Sequence, residues 1–276
     1  KRLSDNLKAF KEHLPDIYDV FKNYQEERFY LIYDDHGNIN LFDKKSEVTL
    51  YSNPVADTLN NLSEYEKKPV QRPYFIASAD AKTKDEVNYI HSDIVKKLAS
   101  EQFGVLKSIA ANMIGNMAPM SQSNNQWFNS DSELPGFINA LFCFSSGVGF
   151  DVEKLYLERD IKHFYLVEPD LDVFYASLQL VDWAAIIKKS IDKGFAINFI
   201  IDDSHDKLIE SISVIVSKSG RHNVAGSYLY SSFYLAEYKS LFERLKSAIS
   251  YSYLAGFGFY DDSRYSLAHT VGNISN

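Results

Sequence analysis

A single cysteine, Cys143, in 276 residues rules out an internal disulfide and a cysteine-based zinc cluster. It lies inside the apolar run 140–144, which suits an inert core residue rather than a nucleophile. No apolar stretch approaches the ~18 residues needed to span a bilayer, and no signal-peptide pattern opens the chain, so a cytoplasmic protein is expected. Basic residues are in deficit: 29 Lys and Arg face 37 Asp and Glu, a net charge of −8. Lys44-Lys45 and Lys188-Lys189 are isolated pairs rather than part of a basic stripe. A nucleic-acid partner is therefore not expected. The histidines are scattered without the H-E-x-x-H type of spacing, so no metal site is expected either.

What the chain does have is aromatic bulk, 19 Tyr and 19 Phe, read as large core side chains rather than as a stacking surface for bases or sugars. With 45% hydrophobic and 24% charged residues it is globular. Two parts are expected. Residues 1–73 read as a small α+β N-terminal segment. Leu3, Leu7 and Phe10 mark one helix, and Pro15 opens a second. Strands follow over 29–33, 39–42 and 48–51, the first two joined by a turn at 34–38, and Pro54 begins a helix or loop running to about Tyr65. The polar, proline-punctuated stretch 66–73 reads as a connection. Residues 74–276 read as a Rossmann-like α/β domain with long helices, one over 84–114 and one from Leu235 to Tyr253. Between them 117–135 is a loop, in which Trp127 and Phe128 are packing anchors or a contact surface.

The chain is organised around residues 139–170, which read as strand, glycine turn, helix, strand. The uninterrupted apolar run suggests a strand buried on both faces, as in a parallel sheet. Further strands over 195–201 and 227–231 alternate with helices, giving a mostly parallel sheet with helices on both faces. Ligands in such sheets bind beyond the C-terminal strand ends. Three ends are legible, at 145–149, 168–170 and 202–206. They supply the candidate ligand-binding residues Ser145, Ser146, Gly147, Gly149, Glu168, Asp170 and Asp202. The glycine turn offers backbone N–H groups at a helix N-terminus to an anion. Glu168 stands at the offset of a ribose-binding acid. The fingerprint G-x-G-x-x-G is incomplete, because Val152 occupies its last position, so a purely structural turn is the competing reading. Asp170 and Asp172 have D-x-D spacing but also suit a helix cap and first turn. His205, among Asp202, Asp203 and Asp206, is an acid–imidazole pairing without a nucleophile beside it. No catalytic residue is assigned.

Ser146-Gly147-Val148-Gly149-Phe150, the strand end Phe164-Tyr165-Leu166-Val167-Glu168-Pro169-Asp170, Val173-Phe174 and Asp182-Trp183 together resemble the N-terminal region of the motility-associated factor (Maf) proteins. Residues 30–33, Asn40-Leu41 and Leu50-Tyr51 are similar to that family's leading segment, and 266–270 with Asn273-Ile274 to the join before its next domain. At Ser145 the pattern would have glycine. The resemblance implies a bacterial cytoplasmic protein that helps transfer nonulosonic, sialic-acid-like sugars onto flagellin. The transferase site would lie in a following domain, leaving this chain an accessory module whose partners are flagellin or that domain. An S-adenosylmethionine-dependent methyltransferase is the alternative. It shares the glycine turn and acidic strand end, but Cys143 and Ser145 stand where such enzymes usually carry an acid before the glycines. A nucleotide, a nucleotide sugar or S-adenosylmethionine is thus the possible cofactor, and a scaffold with an empty crevice is the third reading.

Overall fold

The computed structural model describes residues 1–34, 37–71, 127–130, 132–219 and 227–254. Helices α1 (Arg2–His13) and α2 (Pro15–Phe21) lead into strands β1 (Phe29–Tyr33), β2 (Ile39–Asp43) and β3 (Val48–Thr49), then α3 (Pro54–Lys67). Two short strands follow, β4 (Val70–Gln71) and β5 (Phe128–Asn129). The alternating part comprises β6 (Phe137–Phe144), α4 (Phe150–Glu158), β7 (Asp160–Glu168), α5 (Leu171–Leu180), α6 (Trp183–Lys193), β8 (Ala196–Ile201), α7 (His205–Ser219) and β9 (Tyr228–Ser231). A 3-10 turn (Ala236–Tyr238) precedes α8 (Lys239–Leu254).

Strands β1, β2 and β3 form a small antiparallel sheet. The main sheet has the order β5-β4-β9-β6-β7-β8. Its strands β9, β6, β7 and β8 are parallel, with Tyr228, Leu141, Phe164 and Ile197 in one row, while β4 pairs antiparallel to β9 and β5. The chain lays down β6, β7 and β8 in one direction, then returns to place β9 on the far side of β6. The gap between β6 and β9 is therefore the topological switch point, where a ligand crevice opens in sheets of this kind.

Alternation along β6 splits the core in two. Phe142 and Phe144, with Tyr165 and Val167, face α7, α8 and the β1–β2 hairpin. Leu141 and Cys143, with Phe164 and Leu166, face α1, α2, α4 and α6. Aromatic bulk fills the second layer: Phe10, Phe174, Trp183 and Phe199 meet edge-on or tilted at centroid distances of 5.3–6.1 Å. Phe10, Phe174 and Trp183 are fully buried, and each such ring stabilises the fold by about 2–3 kcal/mol; Phe199 is partly buried.

The leading segment is tied into this core. Phe10 and Phe21 are buried among the second layer's side chains. Asn6, wholly buried, donates to the Leu178 and Val181 carbonyls and accepts from Ala184 N–H, bridging the end of α5 to the start of α6. The expected boundary near residue 73 falls just beyond β4, which belongs to the main sheet. The stretch read as a connection thus contains a strand, and the stretch read as a loop contains β5. Two-residue strands carry no periodicity by which a sequence reading would find them. Trp127 is an anchor: it packs on the first core layer and its indole N–H donates to the Lys246 carbonyl at 3.4 Å. The helix expected over 84–114 and the segment 266–274 likened to an inter-domain join lie outside the described residues. Among the described residues no helix is long and apolar enough to cross a membrane.

Candidate functional site

Strand β6 ends at Phe144, and the chain then bends through three left-handed residues, Ser145 (φ 54°), Gly147 (φ 52°) and Gly149 (φ 83°). Ser145 is wholly buried. A side chain in this region costs about 1–2 kcal/mol. The hydroxyl offsets that cost by donating to both oxygens of the Glu168 carboxylate, at 2.9 and 3.1 Å. Ser146 adds its N–H at 2.7 Å and its hydroxyl at 2.8 Å, and Asp170 its N–H at 3.3 Å. Glu168 is itself 0% exposed. Burial pushes its carboxyl up to about 8, against the pull of the Ser146 donors. Serine hydroxyls rotate, so they can accept from the protonated acid as readily as they donate to the ionised one.

Gly147 lies against two side chains that close the switch point. A Cβ there would fall 2.5 Å from the Tyr51 hydroxyl and 2.9 Å from Phe233 Cβ. Tyr51 comes from the segment after β3, Phe233 from the segment after β9, and their rings are 5.9 Å apart. The Tyr51 hydroxyl accepts from Val148 N–H at 3.4 Å, taking a backbone donor that a ligand anion would use. The first turn of α4 also carries a carboxylate of the chain's own. Asp151 is wholly buried and accepts from the Tyr230 hydroxyl at 2.5 Å. Burial pushes it up to about 6, opposed by hydrogen bonds from Tyr230 and Ser232. Behind the turn, a Cβ on Gly149 would fall 2.2 Å from Val181 Cγ2.

The two aspartates of the D-x-D pair point to different tasks. Asp170 caps α5, accepting from Asp172 and Val173 N–H, and burial with the neighbouring Asp172 charge pushes it up to about 6. Asp172 turns back to the leading segment, where it accepts from the Tyr24 hydroxyl (2.7 Å) and from the N–H groups of Glu27, Arg28 and Phe29 (2.6–3.2 Å). It therefore holds the entry to β1 against α5. Asp172→Ala should strip that segment of its acceptor, lowering stability by about 2–4 kcal/mol. Limited proteolysis should then cut near residues 22–28 before the rest of the chain is touched, and an unchanged cleavage pattern would count against the latch.

The three strand ends lie side by side, with Phe144, Val167 and Ile200 in register. Ser145, Ser146 and Glu168 are bonded directly, and Asp170 reaches Glu168 through its N–H. Asp202 meets Glu168 through the backbone only, its N–H donating to the Glu168 carbonyl at 3.3 Å, while its side chain accepts from Ser204 N–H at 2.8 Å and lines a separate cavity of about 350 Å³ beside Asp16, Phe199 and Lys207. Among the described residues no group of three or more His, Cys, Asp or Glu could hold a metal ion. Sequence reasoning missed Tyr51, Phe233, Asp151 and Tyr24, which come from four separate segments and carry no joint signature.

A family model described as the glycosyltransferase Maf N-terminal domain matches residues 2–254. Among solved structures the chain is similar to the Maf glycosyltransferase from Magnetospirillum magneticum AMB-1, with a TM-score of 0.60 and 16% identity over 91% of this chain. At that identity the likeness speaks to the fold. The match spans 35% of that longer protein. No curated protein matches the sequence.

Proposed function

We propose, since the chain belongs to the Maf glycosyltransferase N-terminal domain family, that it is the accessory and recognition module of a cytoplasmic bacterial protein that glycosylates flagellin with nonulosonic, sialic-acid-like sugars. In this reading the sugar transfer is carried out by a linked transferase domain, and this chain presents flagellin or steadies that domain. The observation that carries the reading is the packing at the switch point. Tyr51 and Phe233 close over Gly147, while Glu168, placed for a ribose, spends its acceptors on Ser145, Ser146 and Asp170. Six of the seven candidate residues, all but Asp202, then serve as an internal brace for the sheet rather than as ligand contacts. The methyl-donor alternative would need that space for adenosine, and nothing in the packing favours it.

The test has two arms. The isolated chain should transfer no sugar from a cytidylyl-activated nonulosonic acid to purified flagellin, yet should retain flagellin when immobilised. Its melting temperature should stay unchanged with cytidine monophosphate or S-adenosylmethionine, because a ligand that prefers the native state raises it. Transfer by the isolated chain, or a shift of several degrees with the methyl donor, would overturn the reading.

A further inference from the structure

Away from the switch point, a cleft of about 440 Å³ opens between the β1–β2 hairpin, the start of α3 and Phe150. That volume lies in the range of small-molecule sites, about 300–1,000 Å³. Its lining is unusual for a chain of net charge −8. Asp34 is its sole charged residue among those described, and no Lys, Arg or His among them lines it. The polar lining is otherwise amide and hydroxyl, with Asn38, Ser52 and Asn53 prominent, and Tyr33 stands beside them 63% exposed.

An anion has little to gain here, although a helix begins at the cleft's edge. Asp57 already accepts from the N–H groups of Ser52 and Asn53, and the Asn53 side-chain oxygen takes Ala56 N–H at 3.1 Å. Pro54 has no N–H to give. The Asn53 amide nitrogen keeps its donors, because only its oxygen is engaged as the cap. An extended peptide also finds little support, since of the small sheet's two edges β3 offers only Val48 and Thr49 for a backbone ladder and β1 packs on α5. What remains matches the alternating donors and acceptors of ring hydroxyls, with an exposed aromatic to cover an apolar sugar face.

We propose that this cleft binds an uncharged carbohydrate, one whose ring carries hydroxyl or acetamido groups and no carboxylate. The site differs from the brace at the switch point and does not depend on it.

Saturation-transfer NMR and titration calorimetry on the chain test this, with methyl α-D-glucopyranoside and N-acetyl-D-glucosamine as probes and N-acetylneuraminic acid as the carboxylated comparator. At least one neutral sugar should show transfer and a millimolar Kd, and the carboxylated sugar should bind about tenfold more weakly. Tyr33→Ala, at an exposed position, should weaken the neutral sugar by about tenfold. Asn53→Asp keeps the capping oxygen but removes the amide donor, and should do the same. No transfer from either neutral sugar would overturn the proposal, and so would binding that both folded variants leave unchanged. The experiment uses neither flagellin nor a transferase, so its failure and that of the accessory reading are separate events.

Discussion

Gly149→Ala is expected to destabilise the fold by about 2–5 kcal/mol, from left-handed strain of about 1–2 kcal/mol and overpacking of about 1–3 kcal/mol. The first part follows from φ 83° at the N-cap of α4. The second follows from the 2.2 Å approach to Val181 Cγ2, a branched and wholly buried side chain with no free end to swing away. Against a total stability of about 5–15 kcal/mol, such a loss removes a large share of the folded population. Urea unfolding followed by circular dichroism should show a midpoint lowered accordingly. Gly149→Ala combined with Val181→Ala should recover the steric part and leave the backbone part. A single variant with the parent's midpoint would mean that the turn does not press on α5 as described.

The second large effect is on pH dependence. Glu168 holds its proton up to about pH 8 in the fold, whereas in the unfolded chain it loses it near 4.5. Between those values the native state binds more protons, so stability must fall as pH rises. Over the whole window the loss is on the order of 5 kcal/mol. Asp151 and Asp170, raised from 3.8 to about 6 by burial, act with the same sign over a lower window. Asp43 acts oppositely: Arg28 holds it below the ordinary carboxylate range, so its contribution is lost on acidification. The unfolding midpoint should therefore decline from about pH 5 to about pH 8. Glu168→Gln should flatten the upper part of that decline, since it carries no titrating proton. A parent curve that rises through neutrality would show the carboxyl ionised in the fold, and would shift the role of the serine hydroxyls to pure donors.

The alternating half of the chain is legible because its signals are local. The apolar run before Ser145 and Asp170 before an amphipathic stretch each mark an element by its neighbours in sequence. Both appear where they read: as β6 and the cap of α5. The site's components are equally visible, since the turn and Glu168 are one strand and one helix apart. What surrounds them is not. Tyr51 looks like any aromatic after a short strand, and Asn6 looks like a polar residue on an outer helix face, yet both are fixed by partners about a hundred or more residues away. Ser145 is instructive in the other direction. Its departure from glycine reads as a weakness in the motif, whereas the structure uses its hydroxyl to satisfy a buried acid.

Strand β4 carries a consequence for biogenesis. Its partners are β9 and β5, so residues 70–71 cannot be seated until Tyr228 and Leu229 have left the ribosome. Pairings of such long sequence separation form slowly, and a lone strand waiting for them is open to wrong partners. Strand β4 must therefore be carried without its main-sheet neighbour, or shielded by chaperones, until residues 228–229 have emerged.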